Sequence, residues 1–229
     1  MKKSLFYIIL LLLVKANSIN AQLPAPFNAI LPSIQDSIAK KVLASPNAYR
    51  LQLVFTQIDR DQNGIPHFTN HALYADAENY FNPASMVKMP LAFLAMEKLY
   101  ELNQPGVNKY TTMQFDSNYQ RQVAMIADSS AQNKKPSIAH FIKRAFLISE
   151  NDPYNRLYQF VGQGPTNQKL LAKGYGSTKI TRQFMGYTED QNRHTNGINF
   201  MDEKGLPILK LAPQHNKDSF QFGAPILIG

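Results

Sequence analysis

The chain has 229 residues, of which 44% are hydrophobic, and it carries a net charge of +8 and no cysteine. A chain without cysteine forms no disulfides, so a folded domain of this length must rely on its apolar core. The basic residues are scattered and form no stripe with interleaved aromatic residues, which argues against a nucleic-acid-binding protein.

The N-terminus has the pattern of a secretory signal peptide. Lys2 and Lys3 precede an apolar run over residues 5–14, and small or polar residues follow as far as Ala21. This order of charged, apolar and cleavage regions predicts a signal peptide over residues 1–21 and one mature domain over 22–229. The predicted location is therefore periplasmic or secreted, with no stable membrane span after cleavage. An uncleaved N-terminal anchor is the alternative, because Ile19 makes the cleavage site imperfect.

The first elements of the mature chain are a helix and two strands. Apolar residues repeat every fourth position and predict an amphipathic helix over residues 32–43: Ile30, Ile34, Ile38, Val42. Alternating apolar and polar residues predict a strand over 51–58, and the turn sequence 61–64 leads to a second strand over 67–74.

The turn between these strands also resembles half of a calcium loop. Asp59, Asp61 and Asn63 alternate before Gly64, but the twelfth position is Asn70 where a bidentate glutamate is required. The flanks are strands rather than helices, so a hairpin turn is the preferred interpretation. No metal site is predicted.

The central element is a helix predicted over residues 81–100. Seven of its apolar residues indicate helical spacing: Val87, Met89, Leu91, Phe93, Leu94, Met96, Tyr100. Ser85 and Lys88 lie at its start, and residues three apart share one face of a helix. A lysine amine whose pKa is lowered by burial can take the proton of a serine hydroxyl and make it a nucleophile.

Further helices are predicted after a polar region. Some helix is expected over 117–128, a helix begins at Ser137, the next opens at Asp152 and Pro153 and ends at Gly162, and a shorter one runs to Gly174. The remainder is predicted to be mostly extended, with a hairpin whose strands contain residues 198–200 and 208–210.

The loop between the first two of these helices carries Ser149 and Asn151. The order Ser-x-x-Lys, a helical stretch and then Ser-x-Asn resembles the serine beta-lactamase and penicillin-binding protein superfamily. Residues 81–88 and 147–157 are most similar to its class A beta-lactamase-like branch. The implied fold class is α/β (α+β), with a mostly helical domain beside an antiparallel sheet.

The resemblance implies a role for each matching residue. Ser85 would be the acylated nucleophile and Lys88 its proton acceptor. Ser149 would pass a proton toward the leaving nitrogen, and Asn151 would hold the substrate amide. The backbone N–H of Ser85 would supply one donor of the oxyanion hole.

The sequence departs from the family pattern at two places. The third motif, Lys-Thr-Gly or Lys-Ser-Gly, is absent, and we expect it on a strand beyond Gly229, which leaves the sheet incomplete. The deacylating glutamate should closely follow Thr181 and Arg182, but the nearest carboxylate is the displaced Glu189. Without a positioned base, an acyl-enzyme would persist.

The sequence thus predicts an exported serine hydrolase that cleaves an amide or ester, of the beta-lactam or peptidoglycan type, through an acyl-serine. No cofactor is expected, and the partner is a small-molecule or peptidoglycan-derived substrate. The alternatives are a catalytically incomplete fragment and a non-enzymatic periplasmic binding relative of the same fold.

Overall fold

The computed structural model describes residues 23–76 and 80–220. The signal peptide predicted over 1–21 therefore lies outside the described residues. The chain divides into two compact units at Phe81 and Asn82. Within the described residues, no helix is both long and apolar enough to cross a membrane.

The N-terminal unit contains two short helices and a hairpin. Helix α1 spans Phe27–Ile30 and α2 spans Ser37–Ala44, separated by a 3-10 turn over Leu31–Ser33. The continuous helix predicted over 32–43 is wrong, because the Asp36 carboxylate accepts the Ala39 N–H at 2.7 Å and begins a new helix there.

The hairpin consists of strands β1, Leu53–Arg60, and β2, Pro66–Leu73, paired antiparallel along their full length. At its turn the Asp61 carboxylate accepts the backbone N–H groups of Asn63 and Ile65 at 2.8 and 2.9 Å. Asp61 therefore closes the turn by local hydrogen bonds, as the hairpin interpretation predicts.

The C-terminal unit is mostly helical. Helix α3 spans Lys88–Leu102 and follows a 3-10 turn over Ala84–Val87. The other helices are α4, Ile138–Leu147; α5, Asn151–Val161; α6, Gln163–Ala172; and α7, Glu189–Arg193.

Two helix boundaries follow directly from local chemistry. The Ser137 hydroxyl accepts the His140 N–H at 3.3 Å and so begins α4, as predicted. Gly162, with φ of 91°, ends α5 and begins α6 in a backbone conformation that other residues rarely adopt. Helix α5 begins at Asn151 rather than after Asp152, and Glu150 takes the N-cap position.

A three-stranded antiparallel sheet packs on these helices. Its strands are β3, Thr112–Phe115; β4, Ile198–Met201; and β5, Pro207–Leu211, in the order β3-β4-β5. The hairpin β4-β5 is the predicted one, whereas β3 and the short helix α7 were not predicted. The described sheets contain two and three strands, which agrees with an incomplete sheet.

The core lies between this sheet and helices α3, α4 and α5. Met113 and Phe115 of β3 and Ile198 and Phe200 of β4 alternate inward and are 2% exposed or less. Phe200 contacts Phe160 of α5 edge-on, with ring centroids 5.8 Å apart. This packing fixes α3 and α5, the two helices that begin at the candidate site.

The helix expected over 117–128 is wrong. The backbone N–H groups of Asn118 and Tyr119 both donate to the side-chain oxygen of Gln122, at 3.0 and 2.9 Å, and Arg121 has a φ of 58°. These local bonds give the segment an irregular structure and place the Tyr119 ring against His194.

Candidate active site

The structure brings Ser85, Lys88, Ser149 and Asn151 together at one point of the C-terminal unit. The 3-10 turn before α3 carries Ser85, and the next turn of the chain carries Lys88. Ser149 and Asn151 lie 61 and 63 residues further along, in the loop between α4 and α5. The four residues that the sequence singled out are therefore neighbours.

The Lys88 amine lies at the centre of this group. Its Nζ lies 3.2 Å from Ser85 Oγ and 3.0 Å from Ser149 Oγ. It also lies 2.5 Å from the Ser149 carbonyl oxygen and 3.1 Å from Asn151 Oδ1. Ser149 Oγ and Ser85 Oγ are 3.0 Å apart, so both hydroxyls and the amine form a closed triangle.

Lys88 is unusual because it is a buried amine without a neighbouring anion. Lys88 is 4% exposed, and this burial lowers the pKa of its amine from the ordinary value. Among residues 82–220 no carboxylate forms an ion pair with it. The two acidic residues that flank Asn151 pair with arginines, Glu150 with Arg144 at 2.6 Å and Asp152 with Arg156 at 3.6 Å.

The number of hydrogen bonds around Lys88 also fits a neutral amine. A neutral amine has two N–H donors and one lone pair. In the neutral state these donors would go to the Ser149 carbonyl and Asn151 Oδ1, which are oxygen atoms that can only accept. The lone pair would then face the two serine hydroxyls, which is the arrangement needed to accept a proton.

Ser85 is exposed although its partner is buried. Ser85 lines neither the cavity of about 190 Å³ beside Gly162 nor the cavity of about 90 Å³ beside Arg156 in the same unit. Among the described residues its backbone N–H has no hydrogen-bond acceptor. An exposed nucleophile beside a free N–H can be reached by a substrate carbonyl.

Two residues at the site have a strained backbone conformation. Ala84, immediately before Ser85, has a φ of 44°, and Ser149 has a φ of 53°. Residues other than glycine rarely adopt such values, and each costs about 1–3 kcal/mol. The strain at Ser149 aims both its carbonyl and its hydroxyl at Lys88, and the Asn82 side chain supports Ala84 by accepting its N–H at 3.1 Å.

One residue at the site was not anticipated as part of it. The Phe184 ring centroid lies 5.4 Å from Lys88 Nζ. Phe184 belongs to the segment after Thr181 and Arg182, where the family resemblance would place a glutamate. Sequence reasoning noted this phenylalanine only as a departure, since nothing in the sequence indicates which side chain of the segment faces Lys88.

Buried polar side chains hold this segment against helices α5, α6 and α7. Each of residues 180–184 donates or accepts at least one hydrogen bond with a buried side chain of these helices, at 2.6–2.9 Å. The side chains involved are Tyr154, Asn155, Gln159, Gln163, Asn167 and Asn192. The Phe184 N–H itself donates to Asn155 Oδ1 at 2.8 Å, which fixes the ring beside Lys88.

Glu189 begins helix α7 and is exposed. Among the described residues, no hydrogen bond joins it to Ser85, Lys88 or Ser149. Its assignment as a deacylating base stays a prediction.

Asp190, His194 and His215 form a separate cluster whose potential ligand atoms lie within 4.8 Å of one another. The two imidazole rings are stacked with centroids 4.0 Å apart and planes 10° apart. Their in-plane lone pairs therefore run parallel and do not converge on one ion. Asp190 is also bound by Arg193 at 2.9 Å and by the Tyr119 hydroxyl, so the arrangement is a stacked polar cluster rather than a metal site.

A model of the beta-lactamase enzyme family matches residues 35–204. The chain belongs to this family. Comparison with curated proteins and with solved structures gives no further match. Membership supports a hydrolase of beta-lactamase type, in agreement with the mixed helical and antiparallel fold and with the resemblance carried by residues 81–88 and 147–157.

Proposed function

We propose that this beta-lactamase family member is a serine hydrolase that cleaves an amide or ester bond through an acyl-serine on Ser85. The observation that carries the proposal is the buried Lys88 amine, which contacts the Ser85 hydroxyl at 3.2 Å and has no carboxylate partner among residues 82–220. Burial lowers the pKa of this amine, which favours the neutral form that nucleophile activation requires.

The proposed acylation step is a single proton and acyl transfer. Neutral Lys88 takes the proton of Ser85 while Ser85 Oγ forms a bond to the substrate carbonyl carbon, and the Ser85 N–H stabilises the developing oxyanion. The bond from that carbon to nitrogen or oxygen then breaks. The leaving atom takes a proton from Ser149 Oγ, and the Lys88 ammonium returns one to Ser149 across 3.0 Å.

Ser149 and Asn151 therefore have different proposed roles. The Ser149 hydroxyl lies 3.0 Å from both Lys88 Nζ and Ser85 Oγ, which suits a proton relay between base and leaving group. Asn151 Oδ1 accepts a hydrogen bond from Lys88, so the amide N–H groups of Asn151 can donate to a substrate carbonyl.

The proposed substrate is a small-molecule beta-lactam or a peptidoglycan-derived amide, and the proposed location is periplasmic or secreted. The family membership supports the substrate class, and the N-terminal pattern of Lys2, Lys3 and the apolar run over 5–14 supports export. We expect the exported protein to lack residues 1–21, which the intact mass of the protein recovered from the periplasm would reveal.

The proposal is tested by labelling with a fluorescent penicillin and with a fluorophosphonate. We expect the wild-type chain to be labelled and Ser85→Ala to be unlabelled, with the exposed Ser177→Ala as the matched control that keeps full labelling. Labelling that survives in Ser85→Ala would contradict the assignment. No labelling of folded wild-type chain by either reagent would instead favour a non-enzymatic relative.

A further inference from the structure

The chemistry proposed for Lys88 requires that its amine stay neutral, and the structure places one apolar side chain directly over that amine. The Phe184 ring centroid lies 5.4 Å from Nζ. The side chains that share hydrogen bonds with the amine are those of Ser85, Ser149 and Asn151. Phe184 therefore contributes an apolar wall that covers the amine without offering a hydrogen bond.

We propose that Phe184 is a positioning residue of the reaction, which shields the Lys88 amine from water and so keeps it in the form that accepts the Ser85 proton. This inference rests on the proposed function. In the family pattern, the segment after Arg182 supplies a carboxylate that activates water. Here we assign the same segment a role in acylation, because its Phe184 acts on Lys88.

Two effects of the ring on Lys88 oppose each other. An aromatic face attracts a cation and would favour the charged amine. An apolar group that displaces water disfavours the charged amine. Lys88 is 4% exposed, and burial lowers its pKa. We therefore assign the larger effect to the shielding.

The charged groups around Lys88 do not provide another explanation. Glu150 and Asp152, which flank Asn151, are paired with Arg144 and Arg156. Arg182 on the Phe184 segment is exposed and contributes its carbonyl oxygen to the Tyr154 hydroxyl. The 3-10 turn before α3 carries no charged residue other than Lys88 at its end.

Contacts with helix α5 fix the position of the Phe184 ring. Its backbone N–H donates to Asn155 Oδ1 at 2.8 Å, and its ring packs on Tyr154 with centroids 4.5 Å apart. Both partners are buried residues of α5, the same helix whose first turn carries Asn151. Helix α5 thus positions the amide that binds Lys88 and the ring that shields it.

The direct test is an NMR titration of lysine side chains labelled with ¹³C, in which the Lys88 signal is assigned from its loss in Lys88→Arg. We expect the wild-type Lys88 midpoint to lie below those of exposed lysines, and Phe184→Ala to raise it by about one pH unit or more. Phe184→Leu should leave it low because the site stays apolar. Met185→Ala, the next apolar residue of the segment, should also leave it unchanged.

The same variants are then compared for the rate of Ser85 acylation against pH. Phe184→Ala should move the low-pH limb toward higher pH by the amount seen in the titration, and its rate should recover at high pH. A purely structural role would lower the rate equally at all pH values. If Phe184→Ala does not fold, Phe184→Asn, which is polar and closer in size, should raise the midpoint where Phe184→Leu does not.

An unchanged or lowered Lys88 midpoint in folded Phe184→Ala or Phe184→Asn would overturn the inference. The titration does not depend on activity. Failure of the wild-type chain to acylate at any pH would therefore refute the proposed function, while the titration would still decide the role of Phe184.

Discussion

At the residue scale, Lys88 faces four oxygen atoms within 3.2 Å but carries at most three protons. As a cation it could donate to the Ser149 carbonyl, Ser149 Oγ and Asn151 Oδ1, while the Ser149 hydroxyl donates to Ser85 Oγ at 3.0 Å. As a neutral amine it could donate to two of these acceptors and accept from a hydroxyl. The cation would have no ion-pair partner among the carboxylates of residues 82–220 and would be buried, and this cost is what favours the neutral state.

Lys88→Arg separates charge from basicity. Arginine keeps a positive charge and hydrogen-bond donors, but it does not give up a proton at accessible pH. We expect the rate of Ser85 acylation to fall by about 10²–10⁴-fold, the usual contribution of a general base, in a chain with an unchanged circular dichroism spectrum. An acylation rate within a few fold of wild type would show that another group activates Ser85.

Ser149 combines strain with function, and two substitutions separate them. Ser149→Gly removes the hydroxyl but relieves the backbone at φ 53°, so it should raise the free energy of unfolding by about 1 kcal/mol while slowing acylation. Ser149→Ala removes the same hydroxyl and keeps the strain. Denaturant unfolding and acylation rates measure both effects, and equal stability of the two variants would contradict the strain argument.

At the element scale, the C-terminal end of α5 is bound by the half-buried amine of Lys98. Its Nζ donates to the Phe160 and Val161 carbonyl oxygens at 2.5 and 3.3 Å, and burial lowers its pKa to about 8. The unfolded chain holds this proton up to a pKa near 10.4. Between these values the unfolded state binds more protons than the folded state, so this residue adds stability as the pH rises.

This linkage predicts a pH-dependent difference between the wild-type chain and Lys98→Met. Relative to the variant, the wild-type free energy of unfolding should rise by roughly 2–3 kcal/mol between about pH 8 and 10.4. Urea unfolding at several pH values measures it, with the exposed Lys210→Met as the control for general charge effects. A constant difference across that range would show that Lys98 is not perturbed.

Some elements could be predicted from the sequence because local chemistry specifies them. Ser137 begins α4, Gly162 ends α5, and the turn around Asp61 closes the first hairpin, each through a contact within a few residues. The neighbourhood of Ser85 and Lys88 is local in the same sense. Ser149 and Asn151 could be added only through their resemblance to a family motif, because 61 residues separate them from Lys88.

The apolar spacing of α3 indicates its buried face only in part. Leu91 and Leu94 of that pattern are buried, together with Ala92 and Ala95. Three larger residues of the same pattern are mostly exposed: Met89 at 53%, Phe93 at 65% and Tyr100 at 84%. Helices α4, α5 and α6 pack on α3, and small alanines permit the closer packing there.

Strand β3 and the contact of Phe184 with Lys88 depend on long-range partners in the same way. Thr112–Phe115 is short and lies in a polar region, and it becomes a strand because Phe115 pairs with Ile198, more than eighty residues later. Phe184 is positioned by Asn155. Such interactions leave no periodic signal near the residues concerned.

At the scale of the whole molecule, several large apolar side chains are exposed in each unit. In α3 they are Met89, Phe93 and Tyr100, and in the first hairpin Val54 and Phe68 are 67% and 62% exposed. Contiguous exposed apolar surface promotes association. We therefore expect the isolated mature chain to be poorly soluble or loosely packed.

Light scattering after size-exclusion chromatography tests this expectation. We expect the mature chain to associate as its concentration rises, and Phe93→Gln combined with Met89→Gln to reduce that association. Lys210→Gln serves as the control for an exposed position outside the apolar face. A wild-type chain that stays monomeric and unfolds in one cooperative transition would contradict the expectation.

The central claim is that Ser85 forms the acyl-enzyme, and mass spectrometry of the reacted protein tests it most directly. Trypsin releases residues 61–88 as one peptide, in which Ser85 is the only serine. After reaction with a penicillin, the account predicts one added acyl group per chain, located on Ser85 of this peptide and absent from Ser85→Ala. An adduct on any other peptide, or an unmodified peptide 61–88 in a chain that consumes the penicillin, would contradict it.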